Sequence, residues 1–187
     1  ITAALAYIAL KNMDRVAVYT MADKLEMIQE PGQGQGKIFS MLHALEKAQL
    51  YGRESNFKKC LKQFQARNKR TSVCIVVSDF FSQNYQEGLN TLRFAKHEIS
   101  CLQVLDPQEL TCDWRGDIEL QCIESQETRR MTVTPADAKR YEEAMAAWIE
   151  ALRRYSLKNS ISYIRTDIDI PFEEFIQQIL RRGGLVS

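Results

Sequence analysis

Ser72 to Phe81 reads SVCIVVSDFF, an apolar and largely β-branched run that stops on an aspartate. A stretch apolar at every position, rather than at alternate ones, suits a strand buried on both faces, as in a parallel sheet covered by helices. Asp79 emerges where that strand ends. In open α/β sheets, ligands bind in the crevice at the carboxyl ends of the strands, so an acid there is a candidate metal or ligand contact. An aspartate in that place also caps turns and helices through its carboxylate, and the segment alone leaves both roles open.

Upstream of this strand, Ile1 to Met13 is rich in Ala and Leu and predicts a helix, followed by a strand from Arg15 to Thr20 and a second, short one around Leu25 to Ile28. PGQGQG, residues 31–36, reads as a flexible loop before a helix from Lys37 to about Gln49, whose Ile38, Met41, Leu42 and Leu45 share one face. A loop from Tyr51 to Ser55 leads into the next helix, with Ser55 as its N-cap and Phe57, Leu61 and Phe64 as its buried stripe.

Downstream, Tyr85 to Lys96 predicts a helix through Leu89, Leu92 and Phe94, and EISCLQVLDP returns as a strand ending at Asp106 and Pro107. This alternation points to an α/β protein with a doubly wound, mostly parallel sheet. Between Asp113 and Thr134 the pattern changes. IELQCIE and RRMTVT, joined by SQET, fit a β-hairpin at the edge of the sheet. Thr134, Pro135 and Asp137 then supply an N-cap, a proline at the first helical position and a first-turn acid. They open the longest helix, where Ala138, Tyr141, Met145, Trp148, Ile149, Leu152 and Tyr155 recur at helical spacing. Ser160 to Thr166 is a last strand, and Pro171 opens a final helix carrying Phe172, Phe175, Ile176 and Ile179 before Gly183 and Gly184.

With 187 residues and 45% apolar content, the chain has enough material for one well-buried core, and a single domain over residues 1–187 is expected. Twenty-five basic against twenty-four acidic residues give no field that would select nucleic acid or an anionic membrane as the main partner. Five cysteines (Cys60, Cys74, Cys101, Cys112 and Cys122) include no CxxC pair, and two lie in expected buried strands. They read as reduced core residues of a cytosolic protein. The opening ITAALAYIAL lacks the basic leader and small-residue cleavage site of a signal peptide, and Asp14 and Arg15 close it short of membrane-spanning length.

Four further patterns have plainer explanations. GQGQGK at residues 32–37 has three residues between Gly32 and Gly36, where a phosphate loop needs four before its Gly-Lys pair, and Ile38 stands where Ser or Thr belongs. Asp167, Asp169, Glu173 and Glu174 could ligate a hard cation, yet acids at a helix start are stabilising without one. His43 and His97 lack any triad-like sequence context. The basic residues Arg53, Lys58, Lys59, Lys62, Arg67, Lys69 and Arg70 suit a solvated helix face as well as an acidic partner.

Four segments in order, LAYIALKNMDRVAVYTMAD, IVVSDFF, CLQVLDP and YIRTDIDIPFEEFI, resemble the carboxyl-terminal two thirds of the bacterial domain of unknown function 58 family. The core of that family is similar to a von Willebrand factor A domain. The resemblance implies a doubly wound sheet that holds magnesium at its top through an Asp-x-Ser-x-Ser loop, a Thr and an Asp. Asp79 stands at the position of that last acid, and Ser55, in YGRESNF, stands where the family has Thr. The first central strand and its Asp-x-Ser-x-Ser loop are missing from this sequence, so the magnesium site is expected to be a remnant here, with the ion held in an intact parent protein. The vacancy is expected between the strand of Val16 to Tyr19 and that of Val73 to Ser78, exposing edges that invite another chain or self-association. On this ground the chain is expected to be a fragment of a longer protein.

The resemblance further implies a non-enzymatic, cytoplasmic interaction module, an adaptor working with a MoxR-type AAA+ ATPase in assembling or activating protein complexes. Neither nucleic acid nor membrane insertion is expected. The alternative is a metal-dependent hydrolase or phosphotransfer domain in which Asp79 and Asp106 share magnesium at adjacent strand ends. Against it, the sequence offers no nucleophile paired with a base, no phosphate loop and no histidine beside either acid. A purely structural domain is the third possibility.

Overall fold

The computed structural model describes residues 1–48, 56–121, 128–171 and 173–177. Helix α1 (Thr2–Lys11) leads into an antiparallel pair, β1 (Arg15–Met21) and β2 (Leu25–Gln33). Helices α2 (Ile38–Lys47) and α3 (Phe57–Arg67) follow. Then come β3 (Val73–Ser78), α4 (Tyr85–Phe94), β4 (Glu98–Leu105) and a short α5 (Pro107–Leu110). A hairpin of β5 (Gly116–Gln121) and β6 (Thr128–Val133) precedes the long α6 (Pro135–Lys158) and β7 (Ser162–Asp167). Residues 173–177 form a final helical segment.

The expected parallel sheet is present as three strands in the order β3-β4-β7, with Val76 opposite Cys101 and Leu102 opposite Ile164. Helices cover both faces, which is why β3 and most of β4 carry apolar side chains on both. On one face Cys74, Val76, Ile99 and Cys101 pack against Phe57 and Leu61 of α3, Tyr85, Leu89 and Leu92 of α4, and Leu152 of α6. On the other face Leu102 and Ile164 meet Ala4 and Leu5 of α1 and Phe175, with Ile75 and Val77 packed alongside. Leu89, Leu92, Leu102 and Leu152 are almost fully buried, each removal from water contributing roughly 1.5–3 kcal/mol.

Several expectations need correction. β2 runs on through Pro31 and Gly32, so most of PGQGQG is strand and turn rather than flexible loop. Pro31 is tolerated because the register with β1 slips between Val16 and Val18, a bulge where its missing N–H costs no ladder bond. Gly34, at φ 80°, turns the chain into the 3-10 turn before α2. The β5–β6 hairpin does not extend the parallel sheet; it is a separate pair that packs through Val133 and Ile118, together with Cys112 of the preceding loop, against Ala138 of α6. Phe94, grouped with Leu89 and Leu92 from sequence, is exposed under the Arg93 guanidinium, because two residues beyond Leu92 it falls off the face those leucines bury. Tyr141 is likewise exposed, its hydroxyl donating to the Glu109 carbonyl oxygen.

α3 is capped by Asn56, whose side chain accepts from the Lys59 N–H at 2.9 Å. Ser55, given that role from sequence, lies outside the described residues, as do the SQET turn save for Thr128, Cys122 and the glycines at 183 and 184. The cap of α6 is as expected: Thr134 accepts from the Asp137 N–H and Asp137 accepts from the Thr134 N–H.

Candidate functional site at the strand ends

Asp79 leaves β3 exposed to solvent at the carboxyl end of the strand. Its Oδ1 accepts from the Phe81 N–H at 3.0 Å and from the Ser78 hydroxyl at 3.2 Å, while the Ser78 Oγ accepts from the Phe80 N–H. The side chain therefore builds a turn around its own backbone, a habit of Asp that competes with regular structure. That turn forces Phe80 to φ 62°, where a bulky residue is a true outlier costing roughly 1–2 kcal/mol. Burial offsets the strain. Phe80 is fully enclosed, its ring 5.3 Å from that of Phe57 and 6.2 Å from that of Tyr85.

The turn is pinned from beneath. Trp148 Nε1 donates to the Phe80 carbonyl, Gln103 Nε2 donates to the Asp79 carbonyl, and the Tyr163 hydroxyl donates to Gln103 Oε1 at 2.6 Å. The buried amide of Gln103 thus ties all three parallel strands to the turn, and neither it nor Trp148 was singled out in this role from sequence. A polar residue inside an otherwise apolar strand was the available signal.

Asp106, at the end of β4, is committed to α5: it accepts from the Gln108 N–H at 2.9 Å, and its own N–H donates to Glu109. Both acids proposed for hydrolytic chemistry thus have local backbone duties. A magnesium ion takes six oxygens in near-octahedral geometry. The described residues offer one exposed carboxylate at this position, and no group of three His, Cys, Asp or Glu side chains suited to a metal occurs among them.

His97 is not isolated. Parallel pairing of Val73 with Glu98 brings the residues before the two strands together, at the end of the sheet opposite Asp79. The Ser72 N–H donates to His97 Nδ1 at 3.1 Å, which assigns that nitrogen as unprotonated; Nε2–H then donates to Gln65 Oε1 at 2.8 Å. The Ser72 Oγ is also 3.1 Å from Nδ1. With its lone pair already taken by a backbone N–H, the imidazole latches α3 to the sheet rather than serving as a free base. His43 is exposed and faces Glu46. Near this latch, burial pushes the Cys74 thiol up, and burial pushes that of Cys101 up to about 12.

A second feature lies between the sheets. β1 pairs only with β2 and β3 only with β4 among the described residues, leaving one edge of each without a strand. Two helices nevertheless touch both sides. Ala6 and Leu10 of α1 pack with Val16 and Val18 of β1, while Ala4 and Leu5 of α1 share the cluster of Ile75 and Val77 of β3. On the other side, the Phe64 ring of α3 meets Tyr19 of β1 at 5.3 Å, while Phe57 and Leu61 pack on Cys74 and Val76.

These features define an α/β domain with a helix-covered parallel sheet, an antiparallel pair beside it and a rigid acid-bearing turn at the strand ends. The chain belongs to the family described as Protein of unknown function DUF58, whose sequence model matches residues 1–151. It is 31% identical over 124 residues to an uncharacterized protein of Mycobacterium avium, a match covering 64% of this chain and 72% of that one. Uncharacterized proteins of Mycobacterium tuberculosis and Mycobacterium bovis are 31% identical over 80 residues, 42% of this chain and a quarter (25%) of theirs. The crystal structure of the conserved hypothetical protein BatB from Bacteroides thetaiotaomicron is similar in fold, with a TM-score of 0.52 at 11% identity, covering 97% of this chain and 86% of that one.

Proposed function

We propose that this domain is a non-enzymatic protein-interaction adaptor of the von Willebrand A type, acting in the cytoplasm with a MoxR-type AAA+ ATPase in assembling or activating protein complexes. The observation that carries it is the pair of unpaired edges on β1 and β3, spanned above and below by α1 and α3. Unpaired edges between covering helices accept an added strand, because main-chain groups there gain partners and apolar side chains gain burial on both faces. Asp79 stands beside that interval at the strand ends, so a strand inserted there brings its terminal loop next to the carboxylate. Magnesium enters in this scheme only when the added segment and Ser55 complete the oxygen shell. The four described cysteines are free and buried, in keeping with a reducing compartment. No helix among the described residues is long and apolar enough to cross a membrane.

The test is a native-lysate pull-down with this protein, comparing wild type with Asp79→Ala in magnesium and in chelator. Recovery of an AAA+ ATPase that needs both magnesium and Asp79 supports a metal-bridged adaptor. Equal recovery in every condition removes the metal from the scheme, and failure to retain any ATPase removes the partner.

A further inference from the structure

We propose that the groove between α6 and the outer edge of β7 binds an extended peptide as an added strand, and that the peptide's helix-facing side chains run apolar, acidic, apolar. β7 pairs with β4 on one side, and its other edge carries no strand among the described residues. Alongside that edge lies a groove of about 650 Å³ lined by Ile149, Arg153 and Leu157 of α6 and by Tyr163 and Arg165 of β7. An edge strand beside a helix is a recurrent seat for extended peptides: main-chain bonds to the edge supply affinity, and alternate side chains meet the helix.

The spacings agree. Ile149, Arg153 and Leu157 are four residues apart, so successive members of this ridge are about 6 Å apart along the helix. Alternate side chains of a strand recur every 6.5–7 Å, roughly the same step. Facing an apolar–cationic–apolar ridge, the complementary strand is apolar–acidic–apolar. Leu157 is 65% exposed, a large apolar surface available for such cover.

Charge favours the same partner. Two guanidinium groups, Arg153 and Arg165, line the groove, and no carboxylate does among the described residues; Glu150, on the same helix, is shared by Arg153 and Arg154 at 2.8 Å. The surplus is positive although the chain as a whole is nearly neutral. This site is separate from the interval between β1 and β3 and does not depend on the adaptor scheme.

The probe is a fluorescein-labelled peptide containing Val-Thr-Asp-Thr-Val, titrated with the full chain and followed by anisotropy. The expected result is saturable binding below about 1 mM. It should weaken at least tenfold when the peptide's Asp becomes Lys or when the protein carries Arg153→Glu, and should be unchanged in Asp79→Ala. Unchanged circular dichroism melting shows that Arg153→Glu is folded. Two N-methylated peptides report strand addition directly. Only one alternate set of amides faces β7, so methylating that set abolishes binding while methylating the other leaves it. Absence of saturable binding, equal behaviour of the two methylated peptides, or sedimentation showing a dimer that Arg153→Glu dissociates would each overturn the proposal, the last by making a second copy the occupant.

Discussion

Gly88 sits in the interior of α4, where glycine is a poor helix former, and replacing it with alanine sets two effects against each other. Intrinsic propensity alone favours alanine by about 0.8–1 kcal/mol. A Cβ at this position, however, meets the Phe57 carbonyl oxygen at 3.0 Å, its carbon at 3.1 Å and Leu61 Cδ1 at 3.2 Å. The first two are backbone atoms at the start of α3, which Asn56 caps and the buried Phe57 ring anchors, so relief requires α4 to move away from α3. Overpacking of that kind costs about 1–3 kcal/mol. The net expectation is a loss of about 1 kcal/mol, lowering Tm by about 2–4 °C for a chain of this size. The control is Gly36→Ala, where a Cβ finds nothing within 4 Å; there alanine should be neutral or stabilising by up to about 1 kcal/mol. Differential scanning calorimetry of the two variants decides the matter. If Gly88→Ala raises Tm as Gly36→Ala does, the close approach of α3 and α4 is not what selects glycine.

Three other outcomes follow from the same geometry. His97→Leu leaves the Ser72 N–H and the Gln65 side chain without their ring partner and should cost roughly 2–3 kcal/mol in urea denaturation, whereas the exposed His43→Leu should change little. The bond from the Thr134 side chain, followed by that from its backbone N–H, holds the Asp137 carboxyl below its ordinary value. A depressed folded value means stability that is complete above the unfolded carboxylate range and lost as pH falls through the folded value. The urea midpoint of Asp137→Asn should therefore trail wild type at pH 7 and converge with it near pH 2; a constant gap would contradict the linkage. With its thiol raised by burial to about 12, Cys101 should resist iodoacetamide at pH 8 in the native protein and react only after unfolding, as mass spectrometry of the peptides would show.

The parts of the fold that were legible in sequence are those where local chemistry and tertiary environment agree. SVCIVVS is apolar on both faces and is a strand covered on both faces; Thr134, Pro135 and Asp137 form a cap that needs nothing beyond their own helix. Pro31 and Gly32 misled because a bulge can absorb a proline, and the partner strand that creates the bulge is not visible in PGQGQG itself. Tyr141 has helical spacing but lies near the start of α6, past what that face covers, a matter of tertiary packing; Phe94 stands two residues after Leu92, off the buried face of α4, which the spacing itself shows. At the site, the position of Asp79 at a strand end was readable, as was its alternative as a turn former. What was hidden is the support: Gln103, Trp148 and Tyr163 reach the turn from β4, α6 and β7, at 24, 68 and 60 residues' separation along the chain within their respective pairs. The role of His97 was hidden for the same reason, since its partners Ser72 and Gln65 become neighbours only through parallel pairing and the packing of α3.

The antiparallel pair β1–β2 shares no ladder with β3-β4-β7 among the described residues; it is tied on through helices, by the Leu25 N–H to Gln63, the Arg67 guanidinium to the Leu25 carbonyl, and the Tyr19 and Phe64 rings. Parting the pair from the rest breaks these ties and the packing of Val16 and Val18 on Ala6 and Leu10, but no ladder of the parallel sheet; parting the β3 side breaks the ladder with β4 and the main core. The thermodynamic cost of opening the molecule is thus lower on the β1 side of the interval. An entering strand would find one wall fixed and the other able to yield, which makes admission to the sheet a question of when β1–β2 swings aside rather than of rebuilding the core.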